Sequence, residues 1–322
     1  MNSCENCHEP MKNTVIIFIL TTSILASCRK EEKISQNAVR MQAFVKDISD
    51  YARSVNPDFM IIPQNGAELA FTDTDPNEGI LSPYIQAING IGIEELFYDG
   101  NLSIHDENLS MLRKLNTSVK IMVSDYVTDQ ANLSDAIQRS KNEGFISFPR
   151  TADNYDYQFI PTSITDENPN NINALEDAKN YLYLISTDRF ANRETMLSAI
   201  AATNYDVILM DLFFEGDAFT AAEIQQLKLK ANGGKRLVIS YISIGSAENY
   251  RYYWQSGWKQ GNPSWIRKKY EGYDDEYWVE FWHSDWQKII FGNDQSYIKK
   301  IMDVGFDGAY LDNVEAYYFL EK

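Results

Sequence analysis

Short apolar runs alternate with amphipathic segments along most of the chain. Runs near residues 60, 95, 121, 146, 183, 209, 240 and 309 read as buried strands. The segments 39–54, 83–89, 108–116, 133–142, 193–202, 220–231 and 295–304 read as helices. In 39–54 the apolar residues Val39, Ala43, Phe44, Ile48 and Tyr51 recur at three and four spacing. Thr220 with Glu223 three residues later forms a capping box, and Asn232-Gly233-Gly234 stops that helix. Strands alternating with helices imply a parallel sheet. Eight of them in about 280 residues imply an α/β fold, a (β/α)8 TIM-type barrel in one domain. An open doubly wound sheet is the alternative, but no Gly-x-Gly-x-x-Gly follows any strand, which removes its dinucleotide-binding form.

Three stretches break the pattern. Residues 151–178 are rich in Asn, Asp, Thr and Pro and form a connection longer than compact domains usually carry. All six tryptophans, including Trp254 and Trp282, fall between 254 and 286, interleaved with tyrosines. Crowded into one insertion after a strand, such rings suit the apolar faces of sugars, and packing on themselves as a small core is the alternative. Residues 11–28 read as a signal peptide beginning at Met11 and ending in the lipobox-like Leu25-Ala26-Ser27-Cys28. Cys28 then becomes a lipidated first residue, and 29–38 a polar tether to the barrel at 39–322. This predicts an extracytoplasmic, membrane-anchored lipoprotein whose partner is the lipid bilayer. An uncleaved anchor or a soluble secreted form is the alternative.

The net charge of −17 argues against nucleic acid, whose phosphates need Lys and Arg. Loss of residues 1–27 would remove Glu5, Glu9 and Lys12 and leave −16. Cys4-Glu5-Asn6-Cys7-His8 has the spacing of a haem attachment site, but it precedes the signal segment and has no downstream ligand context. Past it only Cys28, His105 and His283 remain of their types, so neither a disulfide nor a zinc site is expected, and no cofactor is implied.

The chemistry gathers at strand ends. In a barrel of parallel strands the C-terminal ends carry the catalytic residues. The run 307–311 ends in Asp312-Asn313, with Glu315 three residues on. A carboxylate closing a buried strand is costly unless a site needs it. Asp211 closes the strand near 209 and Asp125 the one near 121. Glu248 follows the strand near 240, and Glu94-Glu95 lie within the strand near 95. Successive strand residues face opposite ways, so either Glu94 or Glu95 is the inward one.

The block Ser240-Tyr241-Ile242-Ser243-Ile244-Gly245-Ser246-Ala247-Glu248, with Tyr250-Arg251 after it, resembles glycoside hydrolase family 114, the endo-α-1,4-polygalactosaminidase-like barrels, in their bacterial and archaeal branch. The segments 56–68, 90–98, 206–214 and 305–317 resemble further blocks, so the likeness spans about residues 40–322. The order differs. In the family the Asp-Asn-Val-Glu strand precedes the Pro-Gln-Asn-Gly strand, whereas here Pro63-Gln64-Asn65-Gly66 comes first. The chain therefore resembles a circular permutation of the family barrel, with 151–178 joining the family's last strand to its first. In family order Asp312 ends the fourth strand and Glu95 lies on the sixth. The resemblance implies Asp312 as nucleophile or base and Glu95 as general acid of a glycoside hydrolase, the two carboxyls flanking the scissile bond. Asp211 is expected to hold sugar hydroxyls or tune Asp312. Asp125, Glu248, Tyr241, Asn65, Trp254 and Trp282 are the remaining candidates for substrate contact. The implied substrate is a galactosamine-containing polysaccharide, cationic where it is not acetylated, which suits an acidic domain. The same barrel with another sugar specificity, or a silent sugar-binding lipoprotein, would carry the same pattern.

Overall fold

Eight buried strands account for the repeating apolar runs in a computed structural model that describes residues 13–151 and 157–322, with side chains from residue 29 onward. Met11 and the side chain of Cys28 lie outside these residues. The strands are β1 (Met60–Pro63), β2 (Gly90–Leu102), β3 (Lys120–Val127), β4 (Ile146–Ser147), β5 (Tyr181–Leu184), β6 (Val207–Asp211), β7 (Leu237–Ser243) and β8 (Gly308–Asp312). One parallel sheet runs in the order β1, β8, β7, β6, β5, and a second runs β2, β3, β4. A parallel bridge between Gln64 and Gly92 extends β1 onto β2 and joins the two. The eight strands therefore follow one cyclic order, and the first pairs with the last from Met60↔Gly308 to Pro63↔Leu311. Among the described residues no ladder joins β4 to β5. There the rings of Phe148 and Tyr181 meet at 5.7 Å. The parallel α/β architecture is thus the expected one, and among the described residues its sheet order ends at β4 and β5, where the long connection crosses.

That connection, from 157 to 178, carries one short 3-10 turn, Leu175–Asp177. Its first described residue is not a passive linker. Tyr157 is buried and stacks on Tyr183 at 3.7 Å, inside the sheet.

Helices fill the outer layer. Helix α1 (Asn13–Val55) runs unbroken through residues 29–38, the expected tether, since nothing there interrupts a run of good helix formers. Met41, Phe44, Val45, Ile48 and Ala52 bury its inner face. It packs on the helix Tyr297–Asp303 before β8, on the turn Ala316–Phe319 after it, and on Ser82–Ala87 after β1. It thus covers the junction of the first and last strands. Among the described residues no helix is long and apolar enough to cross a membrane. The helix expected over 220–231 ends at Leu227, because the buried guanidinium of Arg236 takes up the carbonyls of Leu227 and Leu229 and the following chain turns into an isolated bridge.

The aromatic segment after β7 folds as a three-stranded antiparallel excursion of Ser246–Glu248, Ile266–Lys269 and Glu276–Val279. Its tryptophans mostly pack on one another. Trp258 meets Trp265 at 5.0 Å and Trp265 meets Trp286 at 5.3 Å. Trp286 Nε1 donates to Ile244 O at 2.8 Å and ties the excursion to the end of β7.

The interior between the strands is narrow at one level. A Cβ on Gly92 would stand 1.8 Å from the Tyr310 hydroxyl. Gly92→Ala should therefore cost roughly 2 kcal/mol by overpacking, read as a lowered urea midpoint with an unchanged slope.

Candidate active site

Strand alternation decides which side chains reach the mouth of the strands. Tyr310 of β8 points inward, since its ring meets Gly92 and lies 5.6 Å from Tyr183. Two residues on, Asp312 shares that face. Gly92 of β2 also faces inward, so Glu94 does too. The C-terminal strand ends open into a cavity of about 650 Å³ lined by Asp312, Glu94, Asp211, Glu248, Tyr241 and Asn65, among others. Nine carboxylates line it, and Arg251 is the one cation among its described lining residues.

Asp312 sits in the cavity wall with both oxygens engaged. The Tyr241 hydroxyl donates to Oδ2 at 2.6 Å, and the Asn313 amide donates to Oδ1 at 2.7 Å. Asn313 adopts a left-handed backbone, φ 60°, which Asn tolerates better than most residues. Its side-chain amide donates to Ser243 Oγ and Ser246 Oγ, both at 2.9 Å, and to Glu276 Oε1 at 3.1 Å. The turn is held close by Gly245, where a Cβ would lie 1.9 Å from Asn313 O. Desolvation raises Asp312 to about 7 against the two donated bonds, and the nearby Glu94 charge adds to the rise.

Of the two adjacent glutamates, Glu94 lines the cavity. Glu95, the expected acid, does not line the cavity. It has a left-handed backbone, φ 55°, and pairs with the buried Arg150 at 2.7 Å. Its pKa is raised, first by desolvation and against the attraction of Arg150. The cause is a break in register between Glu94 and Asp99, where β2 bulges away from β3. Asp125 supports this bulge, its Oδ1 accepting the amides of Phe97 at 2.9 Å and Tyr98 at 3.3 Å. Asp125 is therefore a buried support beneath β2, away from the cavity, and burial raises it to about 6. Glu94 accepts from the Tyr157 hydroxyl at 2.6 Å, and Tyr157 also bonds Ser124 at 2.9 Å. The Glu94 amide donates to Asn65 Oδ1 at 3.2 Å, which ties β2 to the end of β1.

Asp211 and Glu248 share Arg251. Its Nη2 stands 2.8 Å from Asp211 Oδ2, and its Nε donates to Glu248 Oε2 at 2.7 Å. These two carboxylates are neutralised in part and held rigidly at the cavity wall. Glu315 is raised to about 7 by desolvation first and then by the charges of Glu68 and Asp312. Glu276, from the excursion, is raised to about 8 by the same first cause. Trp254 and Trp282 do not line the cavity. Trp254 packs on Tyr277 at 5.4 Å, and Trp282 lies under the Arg40 guanidinium. The rings that do line it are mainly tyrosines, including Tyr183, Tyr250, Tyr270 and Tyr273. Glu276 and Tyr157 carried no signal in the sequence, because one sits in an aromatic insertion and the other in an apparent linker. Among the described residues no group of three His, Cys, Asp or Glu is arranged to hold a metal ion.

A parallel α/β scaffold with an acidic, tyrosine-lined cavity at its C-terminal strand ends is the class of protein these features define. Residues 195–322, which include β6, β7, the excursion and β8, match the family model of glycoside-hydrolase family GH114. The resemblance read from the sequence blocks is borne out over this segment. An uncharacterized protein of Methanocaldococcus jannaschii is 32% identical over 178 residues, 54% of this chain and 49% of that protein. Uncharacterized proteins of Thermotoga maritima and Deinococcus radiodurans are 27% identical over 120 residues and 33% identical over 125 residues. These matches cover 37% and 38% of this chain, and 36% and 38% of the relatives. The chain thus spans about half or less of the curated relatives it matches.

Burial of these acids has a pH signature. Asp312 and Glu315 near 7 and Glu276 near 8 bind protons more tightly folded than unfolded. Their contribution to stability is full below the ordinary carboxylate range of about 4 and is lost as pH rises through about 7 to 8. The melting temperature should fall between about pH 5 and 8, and Glu315→Gln should flatten that slope in a thermal scan across pH.

Proposed function

We propose that this protein is a glycoside hydrolase acting outside the cytoplasm on a polysaccharide containing α-1,4-linked galactosamine, and cutting within the chain. The observation that carries the reading is the pair Asp312 and Glu94 in one cavity, on strands that neighbour each other only through β1. Glycoside cleavage needs two carboxyls on opposite sides of the scissile bond, one of them able to donate a proton. Asp312, oriented by Tyr241 and the Asn313 amide, acts as nucleophile or base. Glu94, held by Tyr157 and in reach of Arg150 at 4.0 Å, acts as the acid. In the empty cavity desolvation keeps Asp312 near 7. A cationic sugar, or the positive charge that develops on the ring at the transition state, lowers that pKa and so favours the carboxylate when it is needed. Nine lining carboxylates against one arginine favour an amino sugar on the same ground. Tyrosine faces offer apolar surface to sugar rings, with hydroxyls at their edges.

The barrel is read as a closed ring in circularly permuted order. The pairing of first strand with last supports a chain reopened after β8 and rejoined between β4 and β5 through 151–178. Cys28 is the proposed lipid anchor, supported by the lipobox-like Leu25-Ala26-Ser27-Cys28. Cys28→Ser should then release the protein from the membrane fraction on fractionation, and an unchanged distribution would contradict the anchor.

Incubation with α-1,4-galactosamine polymer should shorten the chains. Asp312→Asn and Glu94→Gln should each lower the rate about 10³-fold, within the usual range for losing an acid or base, with folding intact by circular dichroism. Glu95→Gln should cost less than about tenfold, since that carboxyl faces Arg150. Equal losses at Glu94 and Glu95 would return the acid to the bulge, and no cleavage by the unmodified protein would end the hydrolase reading.

A further inference from the structure

The cavity does not end at Asp211. A groove of about 430 Å³ continues from it over the ends of β5, β6 and β7, and six of its lining residues also line the cavity. Asp211 and Arg251 floor the junction between the two spaces. The far wall is built by Phe213, Glu215 and Gly216 on one side and by Tyr250 and Tyr252 on the other. The Phe213 side is a tight antiparallel pair, Phe213–Phe214 with Asp217–Ala218. Glu215 and Gly216 turn it with φ of 50° and 88°, so this wall is a defined hairpin.

Tyr250 and Tyr252 are among the largest apolar exposures on the described surface, at 58% and 43%. Neither is loose. The Tyr250 hydroxyl bonds the buried Glu248, and the Arg251 guanidinium stands 5.0 Å from its ring centroid. Tyr252 rests on Phe213 at 5.7 Å and on Tyr297 at 5.7 Å. An aromatic ring fixed at its polar edge and left open to water on a groove wall is a preformed platform, since little side-chain entropy remains to be lost on binding. An exposed apolar surface of this kind, continuous with a cavity, marks a binding surface.

We infer that this groove is a second carbohydrate-binding subsite, which takes the sugars of the same chain that lie beyond the bond being cut, with Tyr250 and Tyr252 stacking on successive rings. The occupant follows from continuity, because the groove shares Asp211, Arg251 and four further lining residues with the cavity, so a polymer threaded past Asp312 and Asp211 is led toward it. Asp188 and Glu215, both exposed on its rim, suit amino groups on those sugars. The inference rests on the glycoside hydrolase reading of the cavity. It adds that the enzyme selects for chain length and that remote rings contribute binding energy which a short substrate lacks.

The test uses partly deacetylated α-1,4-galactosamine oligomers from dimer to octamer. Titration calorimetry with the full chain carrying Asp312→Asn measures binding without turnover. Affinity should climb with length. Tyr252→Ala, at a ring that lines the groove and not the cavity, should when added to that background weaken octamer binding about tenfold while changing dimer binding much less, and Tyr252→Phe should restore most of the loss. Thermal melts verify that the variants are folded. Equal losses for dimer and octamer, affinity independent of length, or no binding of any oligomer would each overturn the subsite. Cleavage of polymer by the unmodified protein, measured alongside, separates the two readings. Length-dependent binding without cleavage removes the hydrolase and leaves the groove, whereas cleavage indifferent to length removes the groove and leaves the hydrolase.

Discussion

The ladder between β1 and β8 is the contact on which the rest of the molecule depends. Its residues are about 250 positions apart in sequence, from Met60↔Gly308 to Pro63↔Leu311. The chain must close a long loop before any of its hydrogen bonds form. The close approach has a local requirement as well, because a Cβ on Gly308 would lie 2.5 Å from Met60 O. Asp307 secures the entry to β8 by accepting the Val238 amide and pairing with Lys228. Helix α1 covers the outside of the junction with Phe44, Val45 and Ile48. Without this ladder, the β5–β8 sheet would hold Asp312 and Asp211, and the β2–β4 sheet would hold Glu94. With it, Asn65 at the end of β1 stands between them and accepts the Glu94 amide.

Gathering so many acids in one place works against stability, and the surrounding structure offsets part of that cost. Arg251 holds two carboxylates, Tyr241 and the Asn313 amide hold Asp312, and Tyr157 holds Glu94. Those that remain poorly neutralised shift upward in pKa and keep their protons into the neutral range. The aromatic excursion belongs to the same arrangement. Its tryptophan packing is a small core in its own right, anchored to β7 through Trp286, and it presents Glu248, Tyr250 and Glu276 at the cavity. Its rings thus serve the site mostly by holding polar residues in place, and the tyrosines meet the cavity directly.

Much of the scaffold was legible from apolar periodicity, because burial on a parallel sheet demands short, continuous apolar runs. All eight strand positions, most of the helices and the placement of Asp312, Asp211 and Glu248 at strand ends could be read that way. Three readings could not be settled so. Trp254 and Trp282 pack inside the excursion, since an aromatic-rich segment can satisfy itself before it offers any face to a ligand. Asp125 reads as a strand end, yet β3 runs on to Val127 and the bulge of β2 uses Asp125 as an acceptor for Phe97 and Tyr98. Residues 29–38 have the composition of a tether but no helix breaker, and they continue α1.

By itself the sequence determined which residues could form strands, which carboxylates stand at their ends, and that the order of its blocks departs from that of the family it resembles. The tertiary structure decided which of two adjacent glutamates reaches the cavity. Alternation fixes only relative facing, and the absolute sense came from Gly92 lying against the Tyr310 hydroxyl across the interior. It also decided the proton affinity of Asp312, since a pKa depends on how much water and how many charges surround a group. Apart from the adjacent Asn313 amide, those neighbours arrive from β2, β7 and the excursion, all distant from Asp312 in the chain.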